Sequence, residues 1–190
     1  MQHHRHAGLA GRLASDGRSI TPHPDTARPD AQMVWFPVAT SDGREVDALE
    51  GLLCLPTRTG AMRLASVPHI VEGLALGDEI AIAEWNGAPL ARGELALALF
   101  GTIRVVAASG DDANREHTER DGARDWSWCA RLIDDAAGGR GSCWFDAISE
   151  HAVAASVPRR VLADVFATLN TAASSNELRF EYVTPARHSS

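Results

Sequence analysis

Among the residues able to carry chemistry, Arg104 has the most informative setting. In Thr102–Ala108, Ile103, Val105 and Ala107 alternate with Thr102, Arg104 and Val106, the period of a strand with two unlike faces. If the first set packs beneath helices, Thr102 and Arg104 emerge on the opposite face. There they lie near the strand candidate Leu178–Val183, where Glu181 can pair with the guanidinium. Two chemistries suit that arrangement. One is a salt bridge bracing the sheet against the N-terminal half of the chain. The other is an anion or carboxylate site, for which arginine's planar fork is suited. Trp35, Trp85 and Trp144 are candidate apolar walls for such a pocket, with aromatic core packing as the competing role.

Asp78 closes the run Gly73-Leu74-Ala75-Leu76-Gly77-Asp78. Gly73 and Gly77 permit turn dihedrals that other residues resist. The carboxylate can accept backbone N–H groups in the turn, so Asp78 is either a turn former or a ligand contact. His69, just before it, is a candidate binding residue, set against ordinary packing. His69, His117, His151 and His188 are spread along the chain and no pair has metal-ligand spacing. The three cysteines, Cys54, Cys129 and Cys143, form no C-x-x-C pair and sit in apolar stretches, as buried thiols do. A composite zinc site from Cys54, His69 and Cys143 has no spacing to support it. H-E-x-x-H, G-x-S-x-G, phosphate-loop and Rossmann patterns are all missing. Gly139-Arg140-Gly141-Ser142-Cys143 is glycine-rich but joins a helix to a strand, the wrong order for a phosphate cradle. No catalytic residue, metal or cofactor is assigned.

Composition narrows the function classes further. All 18 basic residues of the 190 are arginine, so Schiff-base chemistry, a pyridoxal phosphate anchor and a Walker A lysine are excluded. A net charge of −7 argues against nucleic acid as a partner. The longest apolar runs fall short of the roughly 18 residues that span a bilayer. Residues 1–31 hold no secretory apolar core, so a cytoplasmic location without membrane attachment is expected.

The elements that must position these residues follow from periodicity. Residues 1–31, rich in Gly, Ser, Pro, His and Arg, are expected to form a disordered tail, as are residues 185–190. His3, His4 and His6 lie in that first stretch without a scaffold. Residues 32–100 read as strands: Met33–Ala39, Glu45–Leu55, Ala61–Ala65, Asp78–Trp85 and Leu90–Phe100. Turns fall at Gly43, Thr57–Gly60 and the hairpin signal Asn86-Gly87. Five such strands predict a bent antiparallel sheet or partial barrel.

Residues 101–184 read as a strand at Thr102–Ala108, a polar loop, a helix at Asp125–Ala137 capped by Asp125, and strands at Cys143–Ile148 and His151–Val157. A second helix opened by Pro158 and a last strand at Leu178–Val183 follow. Helical stripes fall at Trp126, Cys129, Ala130, Ile133 and Ala137, and at Val161, Leu162, Val165, Phe166 and Leu169. The order β-α-β-β-α-β is that of a ferredoxin-like unit. The class is therefore α+β, with both parts forming one compact unit.

The run Val67-Pro68-His69-Ile70-Val71-Glu72-Gly73-Leu74-Ala75-Leu76-Gly77-Asp78-Glu79-Ile80 resembles the bacterial family called domain of unknown function 4265. Echoes at Gly101–Val105, Ala152–Pro158 and Leu178–Tyr182 extend the resemblance over residues 33–184. His69 stands where the family usually has an aromatic, and the loop Ser109–Arg124 is longer than its pattern. The resemblance implies no activity and no catalytic residues. The reading is a non-catalytic binding or protein-interaction module, with an immunity-type protein as a special case. Arg104, Asp78, His69, Trp85, Glu181 and Thr102 are its candidate contacts, and a protein, a small anionic ligand or a second copy its partner. The alternative is a small enzyme with a composite pocket around Arg104, Asp78 and His69, between the two parts.

Overall fold

The computed structural model describes residues 2–5, 10–39, 46–108, 124–139 and 141–183. The expected turn at Gly43, the loop at 109–122, His6, His117, His188 and the tail at 185–190 lie outside the described residues. The chain is mixed α+β, and its described residues build two six-stranded sheets.

The first sheet contains β1 (Gln2–Arg5), β4 (Gln32–Ala39), β5 (Val46–Pro56), β6 (Met62–Leu64), β7 (Glu79–Trp85) and β8 (Ala88–Ala96). Its order is β1-β5-β4-β8-β7-β6, and β6 also pairs with β5, so five strands close on themselves while β1 adds outside in parallel to β5. Period-two alternation sends Val34, Phe36, Leu52, Cys54, Met62, Leu64 and Ile80 inward. At the expected hairpin, Asn86 and Gly87 have φ of 50° and 76°, the pair of positive values that a type I′ turn requires. β8 stops at Ala96, earlier than the alternation suggested, and Phe100 opens the next strand.

The second sheet has the order β12-β9-β11-β10-β2-β3. Here β2 is Gly11–Leu13, β3 Ile20–Pro22, β9 Phe100–Ala107, β10 Trp144–Ala147, β11 Ala152–Pro158 and β12 Leu178–Val183. Helices α1 (Trp126–Ala136) and α2 (Leu162–Ser174) cover one face. The Asp125 side chain accepts the Trp128 amide at 2.9 Å, the cap that the sequence predicts for α1. On the helices, Cys129, Ala130, Ile133, Val165 and Leu169 are buried against the sheet, with Val161, Leu162 and Phe166 partly buried around them. Pro158 ends β11 instead of opening a helix; one 3-10 turn, Arg159–Val161, intervenes before α2.

Residues 10–31 overturn the expectation of a disordered tail. β2 docks on the edge of β10, β3 pairs with β2, and a 3-10 turn spans Pro24–Ala27. Leu13 and Ile20 pack against the helix-covered core, and Ala10 is fully buried. Strands of three residues are too short to show a period in the sequence. Their stability comes from the edge they complete.

Candidate functional site

Residues 65–78 connect β6 to β7 and run between the closed sheet and the helix-free face of the second sheet. Val71 and Leu74 enter the barrel core, whereas Val67 and Leu76 join Ala10, Ala154 and the partly buried Trp144. A segment buried from two sides cannot give its amides and carbonyls to water, so protein groups must take them.

Side chains from both sheets do so. Glu50 of β5, fully buried, accepts the His69 amide at 2.7 Å and the Ile70 and Val71 amides at 3.1 and 2.6 Å. Arg104 of β9 donates from Nη2 to the Ile70 and Val71 carbonyls at 2.7 and 2.8 Å. Thr102 donates to the Leu74 carbonyl at 2.7 Å, and Ser156 accepts the Leu76 amide at 3.3 Å. Asp78, fully buried, accepts the Ala75 amide at 2.7 Å and the Ala98 amide at 2.6 Å. Gly73 and Gly77 hold φ of 80° and 91°, the left-handed values the turn demands. Asp78 thus spends its carboxylate on turn geometry.

Four strands contribute one cross-strand row to the helix-free face: Asp146, Ala154, Arg104 and Glu181. Arg104 points away from the helices, as the alternation predicts, and its Nη1 lies 3.2 Å from Glu181 Oε2. The Arg104 side chain is 14% exposed and that of Glu181 59%. The guanidinium is therefore fixed mainly by the carbonyls rather than by the solvated carboxylate. Both Nη2 hydrogens are taken by backbone carbonyls, whereas Nη1 faces the solvated Glu181 and the buried Nε meets no acceptor among the described residues. At the other end of the row, His69 Nε2 lies 2.9 Å from Asp146 Oδ2, and both side chains are 4% exposed.

The structure thus brings Arg104, Thr102, His69 and Asp78 onto one connecting segment, with Glu181 at its edge. Trp85 is not among them. It ends β7 at the hairpin tip, roughly 20 Å of extended chain beyond Asp78 at about 3.3 Å per residue. Trp144 is held at the N-terminal hairpin, with the His23 ring centroid 4.1 Å away and the Arg12 guanidinium 4.4 Å over its ring. Cys54 sits in the barrel core and Cys143 beneath the helices, so the composite metal set does not assemble. Burial pushes the thiols of Cys54, Cys129 and Cys143 up to about 12.

Glu50, Asp146 and Ser156 are site residues that the sequence reading missed. Glu50 is a lone carboxylate in the apolar run Ala48–Cys54. A charge in such a run implies a buried partner, and that was the available signal. For Asp146 and Ser156 no such signal exists, because their partners lie on a distant connection.

Among the described residues, neither of two clefts that open to solvent is lined by Arg104, Asp78 or His69. One, of about 280 Å³, lies between β4 and β8 and reaches Phe36, Val71, Leu74 and Ile80 of the barrel interior. The other, of about 490 Å³, is bounded by Ala108, Ala173, Asn176 and residues 178–180. Among the described residues, no group of three or more His, Cys, Asp or Glu side chains could hold a metal ion. No helix among them is long and apolar enough to cross a membrane.

No family model and no curated protein matches the chain. Among solved structures, the chain is similar to a hypothetical protein from Neisseria gonorrhoeae, at 16% identity and a TM-score of 0.62 over 82% of this chain and 95% of that one. At that identity the likeness is one of fold, and it carries no activity with it.

Proposed function

We propose that this protein is a non-catalytic binding or protein-interaction module. The observation that carries the reading is the fate of its reactive side chains. Glu50, Asp78, Thr102 and Arg104 hydrogen-bond the backbone of residues 69–75 and Ala98, and His69 and Asp146 face each other under cover. A catalytic acid, base or nucleophile has to meet substrate, and these groups are enclosed. The solvent-open cleft between β4 and β8 is instead floored by apolar side chains. The alternative of a small enzyme around Arg104, Asp78 and His69 would require that buried seam to open.

The same proposal takes the β9–β12 unit as ferredoxin-like, supported by the order β12-β9-β11-β10 with both helices on one face. It places the chain with domain of unknown function 4265 on the Gly73–Asp78 turn, and in the cytoplasm. An immunity-type role, with a protein as the bound partner, is its special case.

The test is affinity capture by the tagged protein from lysate of its source cells. A stoichiometric macromolecular partner is the expected result. A copurifying metabolite that the purified protein converts would overturn the reading.

A further inference from the structure

The two edges of the second sheet are unlike. β3 is three residues long and ends on Pro22, so it presents few main-chain groups to a newcomer. β12, at the other edge, runs six residues along β9 with an unbroken register and with neither proline nor glycine. Among the described residues nothing pairs with its outer side. The parity of the ladder fixes which groups face outward. On the β9 side the Ala108 amide donates to the carbonyl of Glu177, its directly opposed residue, at 2.9 Å. Opposed pairs in an antiparallel ladder alternate between bonded and non-bonded, so Arg179, Glu181 and Val183 bond inward to β9. Leu178, Phe180 and Tyr182 turn their N–H and C=O groups to the open edge.

The side chains add a charge pattern to that edge. Arg179 and Glu181, two residues apart, share the helix-free face. Arg179 is exposed, and Glu181, 59% exposed, meets Arg104 at 3.2 Å on its inner side. Consider a second β12 laid antiparallel along the edge, with a twofold axis at Phe180. Phe180 then opposes Phe180 and Leu178 opposes Tyr182, as bonded pairs that each exchange two main-chain hydrogen bonds. Between them, on both sides of the axis, Arg179 opposes the partner's Glu181 in the non-bonded positions where side chains come closest. Each Glu181 is bracketed by Arg104 of its own chain and the partner's Arg179. Sliding the second strand by two residues either way keeps the backbone parity but sets Arg179 against Arg179 or Glu181 against Glu181. Like charges directly opposed are destabilising, so one register is selected. On the helix side, Phe180 and Tyr182 are only partly buried beside Phe166 and leave apolar surface next to the axis.

We infer that β12 is a self-association edge. Two copies of this chain pair β12 with β12 about Phe180, joining their second sheets into one, and two Arg179–Glu181 ion pairs set the register. A twofold axis uses the same patch twice, so one arginine and one glutamate are enough to make the edge complementary to itself. A single strand buries little area, so a reversible dimer with a micromolar dissociation constant is expected. The inference does not depend on the binding-module reading, which stands whether or not the chain dimerises.

Sedimentation equilibrium of the full chain tests it. Across the micromolar range the parent should convert reversibly from the mass of one chain to twice that mass. Arg179→Glu sets like charges at both rungs and should weaken the dimer about tenfold or more, and Glu181→Arg should do the same. Mixed one to one, the two variants again oppose unlike charges at both rungs. Their heterodimer should form about tenfold or more tightly than either variant pairs with itself, a recovery that a folding defect cannot produce. Glu181→Arg also faces Arg104; should it fail to fold, Arg179→Glu, at an exposed position, decides alone. A parent that stays monomeric, a dimer that Arg179→Glu leaves unchanged, or two folded variants that do not associate on mixing would overturn the edge. Each of these results would leave the binding-module reading to its own test, capture of a different macromolecule.

Discussion

Two seams of this molecule invite comparison. Along residues 67–78, the barrel meets the helix-free face of the second sheet through charged and polar side chains, yet Arg104, Asp78 and His69 line neither of the two clefts described above. Along β4 and β8, the barrel meets itself through one bridge, and the side chains lining the cleft there are mostly apolar. Residue type alone would have assigned function to the first seam and packing to the second. The hydrogen bonds overturn the first of those assignments. A buried carboxylate or guanidinium whose partners are backbone groups is a structural clamp, because removing it strands several groups at once.

The comparison can be broken most directly at Glu50. Glu50→Ala leaves the amides of His69, Ile70 and Val71 without their acceptor. It should cost roughly 3–5 kcal/mol, the range for breaking one half of a buried charged contact. Urea denaturation measures this; a loss below about 1 kcal/mol would place the clamp elsewhere. Arg104→Met strands two carbonyls but leaves a solvated Glu181, so about 2 kcal/mol is expected. Glu181→Gln should cost about 0–1 kcal/mol, as exposed ion pairs do. If the two variants proved equal, the carboxylate rather than the carbonyls would be what holds Arg104. At the open seam, Glu72→Gln and Arg92→Gln should stay within about 0.5 kcal/mol of the parent.

A smaller effect marks the helix layer. The Ser127 hydroxyl, with the Trp128 amide, holds the Asp125 carboxyl below the usual aspartate range. The folded state therefore prefers the charged form. Its contribution is complete above about pH 6, where the unfolded aspartate is fully ionised, and fades as pH falls through the unfolded value of about 3.9 toward the lower folded one. Asp125→Ala should cost about 1 kcal/mol at pH 7, and its difference from the parent should shrink on acidification below pH 4. A gap that stayed constant down to pH 2 would contradict the capping role. The buried thiols give a further check. Iodoacetamide at pH 8 should label none of Cys54, Cys129 and Cys143 in the native protein and all of them in urea, read by mass spectrometry.

Much of this architecture is written locally. Asn86-Gly87, the Asp125 cap, the stripe through Cys129 and Ile133, and the alternation that turns Arg104 toward Glu181 each depend on neighbours in sequence or on one adjacent strand. What escaped the sequence depends on distant partners. β2 and β3 exist because β10 offers an edge, and the barrel closes because β5 gives one edge to β4 and the other to β6. His69 was singled out, but Asp146, the residue it meets, is brought there only by the crossing of the two sheets. Trp85 was attractive by type and is remote by geometry.

Native-state hydrogen exchange tests the central contrast most directly, because it reads both seams in one unmodified sample. The account predicts that the amides of His69, Ile70 and Val71, bonded to the buried Glu50 carboxylate, exchange only on global unfolding. The Arg92 amide at the open seam, an extra residue where the β7–β8 register slips, should exchange by local opening, orders of magnitude faster. Equal and rapid exchange at both places would contradict it, since the connecting segment would then be no clamp.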